Sequence, residues 1–451
     1  MSGRGSASHP SRHSRQAAGD LLPRIVHPPP GPRSRALALD LARLEAPGVN
    51  TTGGTAGAEP PLLWETARGA NVHDVDGNRY VDLTSGFGVA AVGHRHPRVV
   101  AAIRRQAGRL LHGLGDVHAH PLRVELARRL VRLAPLAEAQ VFFAASGAEA
   151  VEIALETALA VTGRPAVVAF DPAYHGLTLG ALAVTSRPEF RAPFAPYLHP
   201  HVRRLPFGCP PATLAAALAG NAAGGPAGAV LVEPVVGREG VLPPPAGWLA
   251  EVARLSREAG ALLVADEIFT GFGRTGRMFA VEAEGVQPDL LCCGKALGGG
   301  LPIAAVLARR PLFEAWSTPG EALRTSTFLA NPLACAAALA VLDVMEDERL
   351  PARAASLEPW LAARLAGWRD RLPAVAAVRG RGMLWGVELR SRDAAALWVA
   401  AARRRGVLIL AGGPAGKVAQ LVPPLTIAEP QLAGALDLLE ETLGGVTMNP
   451  P

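Results

Sequence analysis

The chain has 451 residues, of which 49% are hydrophobic and 19% charged, with a formal net charge of +6. That length exceeds one simple core and calls for two or three structural units, and the apolar share excludes an intrinsically disordered chain. The basic residues are scattered and no run of about 18 apolar residues occurs, so neither a nucleic-acid partner nor a membrane span is expected.

The one local excess of charge lies in residues 1–36, where Arg4, Arg12, Arg15, Arg24, Arg33 and Arg35 face Asp20 alone. A solvated, disordered arm is the expectation for that stretch. It is rich in Arg and Ser, as transit peptides are, but has no clear amphipathic helix. It also lacks the apolar stretch of about 7–15 residues that a secretory signal needs. Residues 37–93 form the next segment. Pro and Gly keep it loose to about residue 60, and a hairpin follows at 72–75 and 79–82 across the turn Asp76-Gly77-Asn78.

From residue 94 to 330 the pattern changes. Val99, Val100, Ile103, Ala107 and Leu110 recur at helical spacing, and a second helix opens at Pro121 and stops before Pro135. Short apolar strands are predicted at 140–144, 166–170, 229–233, 261–265, 290–293 and 303–307, with helices at 147–162 and 247–259 between them. Strands flanked by helices in this way predict an α/β fold with a mostly parallel central sheet covered on both faces. The last segment, 331–451, has long Ala/Leu helices and a strand at 385–389, as in a smaller α+β domain. The cysteines at 209, 292, 293 and 335 form no C-x-x-C pair and read as small, buried, reduced residues of a cytoplasmic protein.

Lysine occurs only at positions 295 and 417 in a chain otherwise served by arginine. A guanidinium stays protonated, whereas a lysine amine can lose its proton and attack a carbonyl, so a lysine retained here is a candidate for that chemistry. Lys295 follows a predicted strand inside Gly294-Lys295-Ala296-Leu297-Gly298-Gly299-Gly300. That run is not a phosphate-binding P-loop, because the upstream glycine is missing and Ala296 replaces the hydroxyl residue. Lys417 lies in a Gly-Pro-Ala-Gly turn and reads as solvated. Asp266 ends another strand, where a buried carboxylate needs a cationic or hydrogen-bonded partner. Ser146 and Glu149 form a capping box at a helix start, and the small Ser146-Gly147-Ala148 turn also offers free N–H groups to a phosphate.

These features fall in one order. Asp74-Val75-Asp76-Gly77-Asn78, Gly93-His94-Arg95-His96-Pro97, Ser146-Gly147-Ala148-Glu149-Ala150 and Tyr174-His175-Gly176 come first. Glu233-Pro234, Asp266-Glu267-Ile268, Gly273-Arg274-Thr275-Gly276, Gly294-Lys295, Ser326-Thr327-Phe328, Asn331-Pro332 and Pro423-Pro424-Leu425 follow. The series resembles the class III aminotransferases, pyridoxal-phosphate enzymes of fold type I, from about residue 60 to 430. The resemblance implies that the N-terminal segment and the C-terminal part together make the smaller domain. It makes Lys295 the residue that carries the cofactor and later moves the substrate proton, with Asp266 paired to the pyridine nitrogen. Tyr174 and Ile268 would cover the two ring faces, and Ser146, Gly147 and Ala148 would bind the phosphate. His175 matches the pattern, with a structural role equally open. Thr327 would reach the phosphate of a neighbouring subunit, so a homodimer with shared sites is implied. The expected partners are a small amine or amino acid and a keto acid, and no metal is expected.

The departures from the pattern concern substrate. Leu177 and Gln420 stand where the resembled family's ornithine and 4-aminobutyrate enzymes carry arginines that grip carboxylates. Glu233 is then a carboxylate free to meet a substrate ammonium, and Arg274 and Arg324 are candidate substitute grips, with a purely structural role also open for Arg274. Phe269 replaces a glutamine that bonds the ring hydroxyl. Amino-group transfer between an amine or amino acid and a keto acid or aldehyde is the expected activity. Racemisation or epimerisation on the same scaffold is the alternative, since one proton's destination separates them.

Overall fold

The computed structural model describes residues 19–49, 59–220 and 224–445. Three strands open the chain, β1 (Trp64–Arg68), β2 (Asn71–Asp74) and β3 (Arg79–Asp82). The central sheet is built from β4 (Ala139–Ala144), β5 (Ala166–Asp171), β6 (Val202–Pro206), β7 (Ala227–Val232), β8 (Leu262–Asp266), β9 (Leu290–Cys293) and β10 (Ala304–Arg309). Its order is β4-β10-β9-β8-β7-β5-β6. The pairs from β6 through β9 are parallel, and β10 runs against both of its neighbours. The predicted mostly parallel sheet is therefore present, with one opposed strand.

Successive side chains of a strand point to opposite faces, and the core divides accordingly. Val168, Phe170, Val230, Val232, Leu263, Ala265, Leu291 and Cys293 join one apolar cluster, while Val167, Ala169, Ala229, Leu231, Val264, Leu290 and Cys292 join another. Helix Gly147–Thr162 covers the second face through Val151, Ile153 and Ala154. Helices Trp248–Ala259 and Pro332–Asp347 cover the first. Burial on both faces explains why these strands read as continuous apolar runs. All four cysteines are buried and free, and burial pushes the Cys293 thiol up to about 12.

Two smaller sheets complete the molecule. One, of order β1-β2-β3-β13, joins the opening hairpin to β13 (Val407–Leu408) in parallel, Val81 facing Val407. The other contains β11 (Val375–Arg381), β12 (Leu384–Leu389), β14 (Leu410–Gly412) and β15 (Val418–Leu421), in the order β11-β12-β15-β14.

Part of the expected disordered arm, residues 1–36, lies outside the described residues. The described part, from residue 19, is packed, which corrects the expectation there. Arg24 exchanges backbone hydrogen bonds of 2.8 Å with Arg79, and a helix runs over Pro32–Leu44. Proline occupies its first turn, and the Asp76 carboxylate accepts from the Arg33 and Ser34 amides at 2.8 and 2.9 Å. The arginines of this stretch concealed a segment held mainly by its backbone. Edge strand β6, with the sequence Val-Arg-Arg-Leu-Pro, escaped prediction because two arginines interrupt its apolar pattern. Among the described residues no helix is long and apolar enough to cross a membrane.

Candidate active site

In a parallel sheet the backbone opens beyond the carboxyl ends of the strands, and polar residues placed there face a common crevice. Glu233 follows β7, Asp266 ends β8, and Lys295 stands two residues beyond β9. Strands β8 and β9 are neighbours, with Asp266 opposite Cys292, so the carboxylate and the amine emerge side by side. Lys295 adopts φ +36°, a left-handed conformation unusual for a residue with a side chain, and begins a short turn of helix. Burial lowers its amine below the ordinary lysine value. Asp266 and Glu233 oppose that shift, and Arg238 adds to it.

Asp266 is 4% exposed and takes two hydrogen bonds from within the fold: the His175 ring donates from Nδ1 at 2.7 Å, and the Ile268 amide donates at 3.1 Å. His175 is in turn fixed through its amide to Thr185 Oγ1 at 3.0 Å, and its Nε2 is buried without a partner among the described residues. His175 therefore orients the carboxylate from behind. A buried acid held this way has a place for one more donor, such as a protonated ring nitrogen.

Glu233 is buried, and both of its oxygens are occupied by the amides of Tyr174 and Gly237 at 2.9 and 2.8 Å. Burial pushes its carboxyl up to about 7. The expectation of a carboxylate free for a substrate ammonium is corrected accordingly: Glu233 clamps two loops. Tyr174 is half-buried, with the Arg238 guanidinium 4.2 Å from its ring centroid. Phe269 lies under the Lys295 amine, 4.7 Å from Nζ to the ring centroid. It fits only because two neighbours are glycines. A Cβ on Gly237 would fall 2.0 Å from Phe269, and one on Gly88 2.6 Å away.

Half of the expected capping box forms: Ser146 Oγ accepts from the Glu149 amide at 3.2 Å, while the Glu149 carboxylate reaches past the N-cap to the Ala145 amide at 2.7 Å. Ser146 is exposed at the start of a 16-residue helix, whose Gly147 and Ala148 amides have no partner within it. Space is tight here too. A Cβ on Gly147 would press on Ile268 at 3.0 Å, and one on Gly176 would fall 2.6 Å from Ala148. A small acceptor-rich anion fits this helix start.

The other expected residues differ in exposure and partners. Thr327 is exposed on a loop that packs against Gly115, with Phe328 and His112 rings 5.4 Å apart. Leu177 is 53% exposed. Gln420 is buried and donates to the carbonyls of Gly237 and Arg238 at 3.1 and 2.7 Å. Both substitute grips are corrected: Arg274 is buried against the carbonyls of Met383 and Pro423, which drives its pKa down to about 9, and Arg324 is paired with Glu156. Sequence reasoning missed Arg238, whose only signal was a cation shortly after Glu233-Pro234.

The chain is similar to known proteins over most of its length. A family model described as aminotransferase class-III matches residues 54–443. The acetylornithine aminotransferase of Methanothermobacter thermautotrophicus is 40% identical over 379 residues, 84% of this chain and 93% of that protein. That of Mycobacterium tuberculosis is 42% identical over 388 residues, 85% and 92% of the two chains. Among solved structures, the ornithine aminotransferase of Toxoplasma gondii has a TM-score of 0.81 at 30% identity, covering 90% of this chain and 94% of that one. An aminotransferase of Bacillus anthracis has a TM-score of 0.84 at 25% identity, covering 92% and 99%.

Proposed function

Because the chain belongs to the class III aminotransferases, pyridoxal-phosphate-dependent transaminases of fold type I, we propose that it carries out amino-group transfer with Lys295 as its cofactor-bearing and proton-moving residue. The observation that carries this assignment is the emergence of a half-buried lysine with a lowered amine pKa and a buried carboxylate from adjacent strand ends. Bound pyridoxal phosphate supplies an aldehyde that captures amines and an electron-poor ring that spreads negative charge from the neighbouring carbon. The residues present fit its three polar groups: an anion-receptive helix start, an acid with room for one donor, and an amine with a lowered pKa.

Ser146, Gly147 and Ala148 hold the phosphate with a hydroxyl and free amides. Asp266 retains a proton on the ring nitrogen, and His175 fixes the angle of that carboxylate. Tyr174 and Ile268 would cover the two faces of the ring. Lys295 would hold the cofactor, and its Nζ in the neutral state would move the proton of the substrate carbon. Burial makes that neutral state accessible.

A homodimer supplies the missing part. Leu110, Leu111, Leu114, Val117, Leu323 and Phe328 are exposed on adjoining segments, and Thr327 stands among them. A second copy would cover that apolar surface and bring its Thr327 to the phosphate. Four reduced cysteines accord with a cytoplasmic enzyme.

The relatives are named acetylornithine aminotransferases, but Leu177 and Gln420 leave two carboxylate grips unfilled, so the donor is held in another way. Single enantiomers of amino acids, incubated with and without a keto acid, test the reaction. Aminated product that forms only with the acceptor is expected. Inversion of the donor without acceptor would contradict the proposal.

A further inference from the structure

We propose that Arg238 is the substrate-binding cation of this site and grips a carboxylate of the amino-acid or keto-acid partner, an inference that rests on the aminotransferase reading above. Arg238 sits in the short turn closed by the backbone bridge between Val236 and Leu242, just beyond Glu233. Its backbone is fixed on two sides: its carbonyl accepts from the Gly413 amide at 3.1 Å and from Gln420 Nε2 at 2.7 Å. Its guanidinium is laid over Tyr174, 4.2 Å from the ring centroid, with Phe190 at 5.6 Å. Stacking occupies a face of the guanidinium and leaves its N–H edge, the part that matches a carboxylate in a fork.

The two acids that flank it in the chain, Glu233 and Glu239, are engaged. Glu239 receives the Arg187 Nε at 2.8 and 3.0 Å on its two oxygens, and Glu233 receives two amides. Among the described residues no ion pair or side-chain hydrogen bond is made by Arg238. The other candidate cations are spent, Arg187 on Glu239, Arg274 on carbonyls and Arg324 on Glu156. Arg238 thus remains an oriented cation without an ion-pair partner among the described residues, and its field reaches both Glu239 and Lys295.

Position 420 explains the arrangement. Its amide touches the backbone of 237 and 238, so the two positions form one wall. A neutral glutamine stands where an arginine grip was looked for, and the positive charge is displaced to the opposite member of the same contact. The predicted substrate class is an amino acid and keto acid with a carboxylate near this wall, in preference to simple alkylamines.

The test uses the cofactor-loaded enzyme and two readouts. Calorimetric titration with glutarate and propionate, which have neither amino nor keto group, reads carboxylate binding without turnover. Arg238→Met is expected to weaken the tighter of the two by roughly tenfold to a hundredfold, with Arg238→Lys between, as for loss of a charge-assisted contact. The ratio of kcat/KM for an amino acid over its decarboxylated amine should fall by a similar factor. Adding Gln420→Arg to Arg238→Met returns a cation to the wall and should restore part of both losses, which a purely structural role for Arg238 would not allow. Unchanged carboxylate binding and an unchanged ratio in Arg238→Met would overturn the inference while leaving the transaminase reading in place. Carboxylate binding that depends on Arg238 in a protein without amino transfer would instead defeat the transaminase reading alone.

Discussion

Individual side chains here are held in states that water would not favour, and their titration is the accessible consequence. Glu267 is buried beside the site, accepts from Thr270 Oγ1 and from the Val281 amide at 2.8 Å, and has its carboxyl pushed up to about 7 by burial. Glu233 is displaced to the same region. A folded-state pKa above the unfolded one means that the native state binds the proton more tightly. Its contribution is fully present below the unfolded value of about 4.3 and is lost as pH rises towards the folded value of about 7. Each such group tilts stability by at most about 1.4 kcal/mol per pH unit in that window. Denaturant melts of wild type and Glu267→Gln between pH 5 and 7, an interval set to lie inside that window, should therefore differ in slope, the variant losing less stability as pH rises. Parallel curves would contradict the assignment. The residue scale was also where the sequence was most and least legible. Lys295 and Asp266 stood out because their chemistry has few substitutes. The occupied oxygens of Glu233 and the stacked Arg238 did not, because both depend on which loop folds back over which strand end.

At the scale of elements, the strands of the central sheet were legible because two-sided burial makes each an uninterrupted apolar run, and helix Gly147–Thr162 because a capping box opens it and Gly163, at φ 64°, closes it. Helix Pro32–Leu44 was not legible, since its N-terminus is capped from forty residues away. Asp76 serves its first amides and also receives the Ser34 hydroxyl at 2.5 Å. Removing such a cap costs roughly 0.5–2 kcal/mol. Asp76→Ala should speed amide exchange across residues 32–44 and leave the central sheet protected. Equal protection of the helix in both proteins would show that the cap is not what holds it. The same hairpin turn carries Asp74 and Asn78, which bond each other at 2.8 Å, so the entry segment is tied to a turn that the sequence did reveal.

At the scale of the whole molecule, the sequence indicated the layered α/β architecture but not that β13 would pair with β3 and unite the two ends of the chain. Two- and three-residue strands carry too little periodicity to announce a partner more than 300 residues away. The exposed apolar surface around Leu114 and Phe328 makes a prediction at this scale. Phe328→Arg should shift the protein from dimer towards monomer in sedimentation and weaken phosphate-dependent cofactor retention, and a wild type that sediments as a monomer would defeat the shared-site account. The proposed activity depends on one amine, set beside one buried acid, forming the covalent link to pyridoxal phosphate. Borohydride reduction of the purified holoenzyme, followed by peptide mass mapping, tests this most directly. The adduct is expected on the peptide bearing Lys295 and should be absent from Lys295→Ala, whereas an adduct on Lys417, or one that survives in the variant, would contradict it.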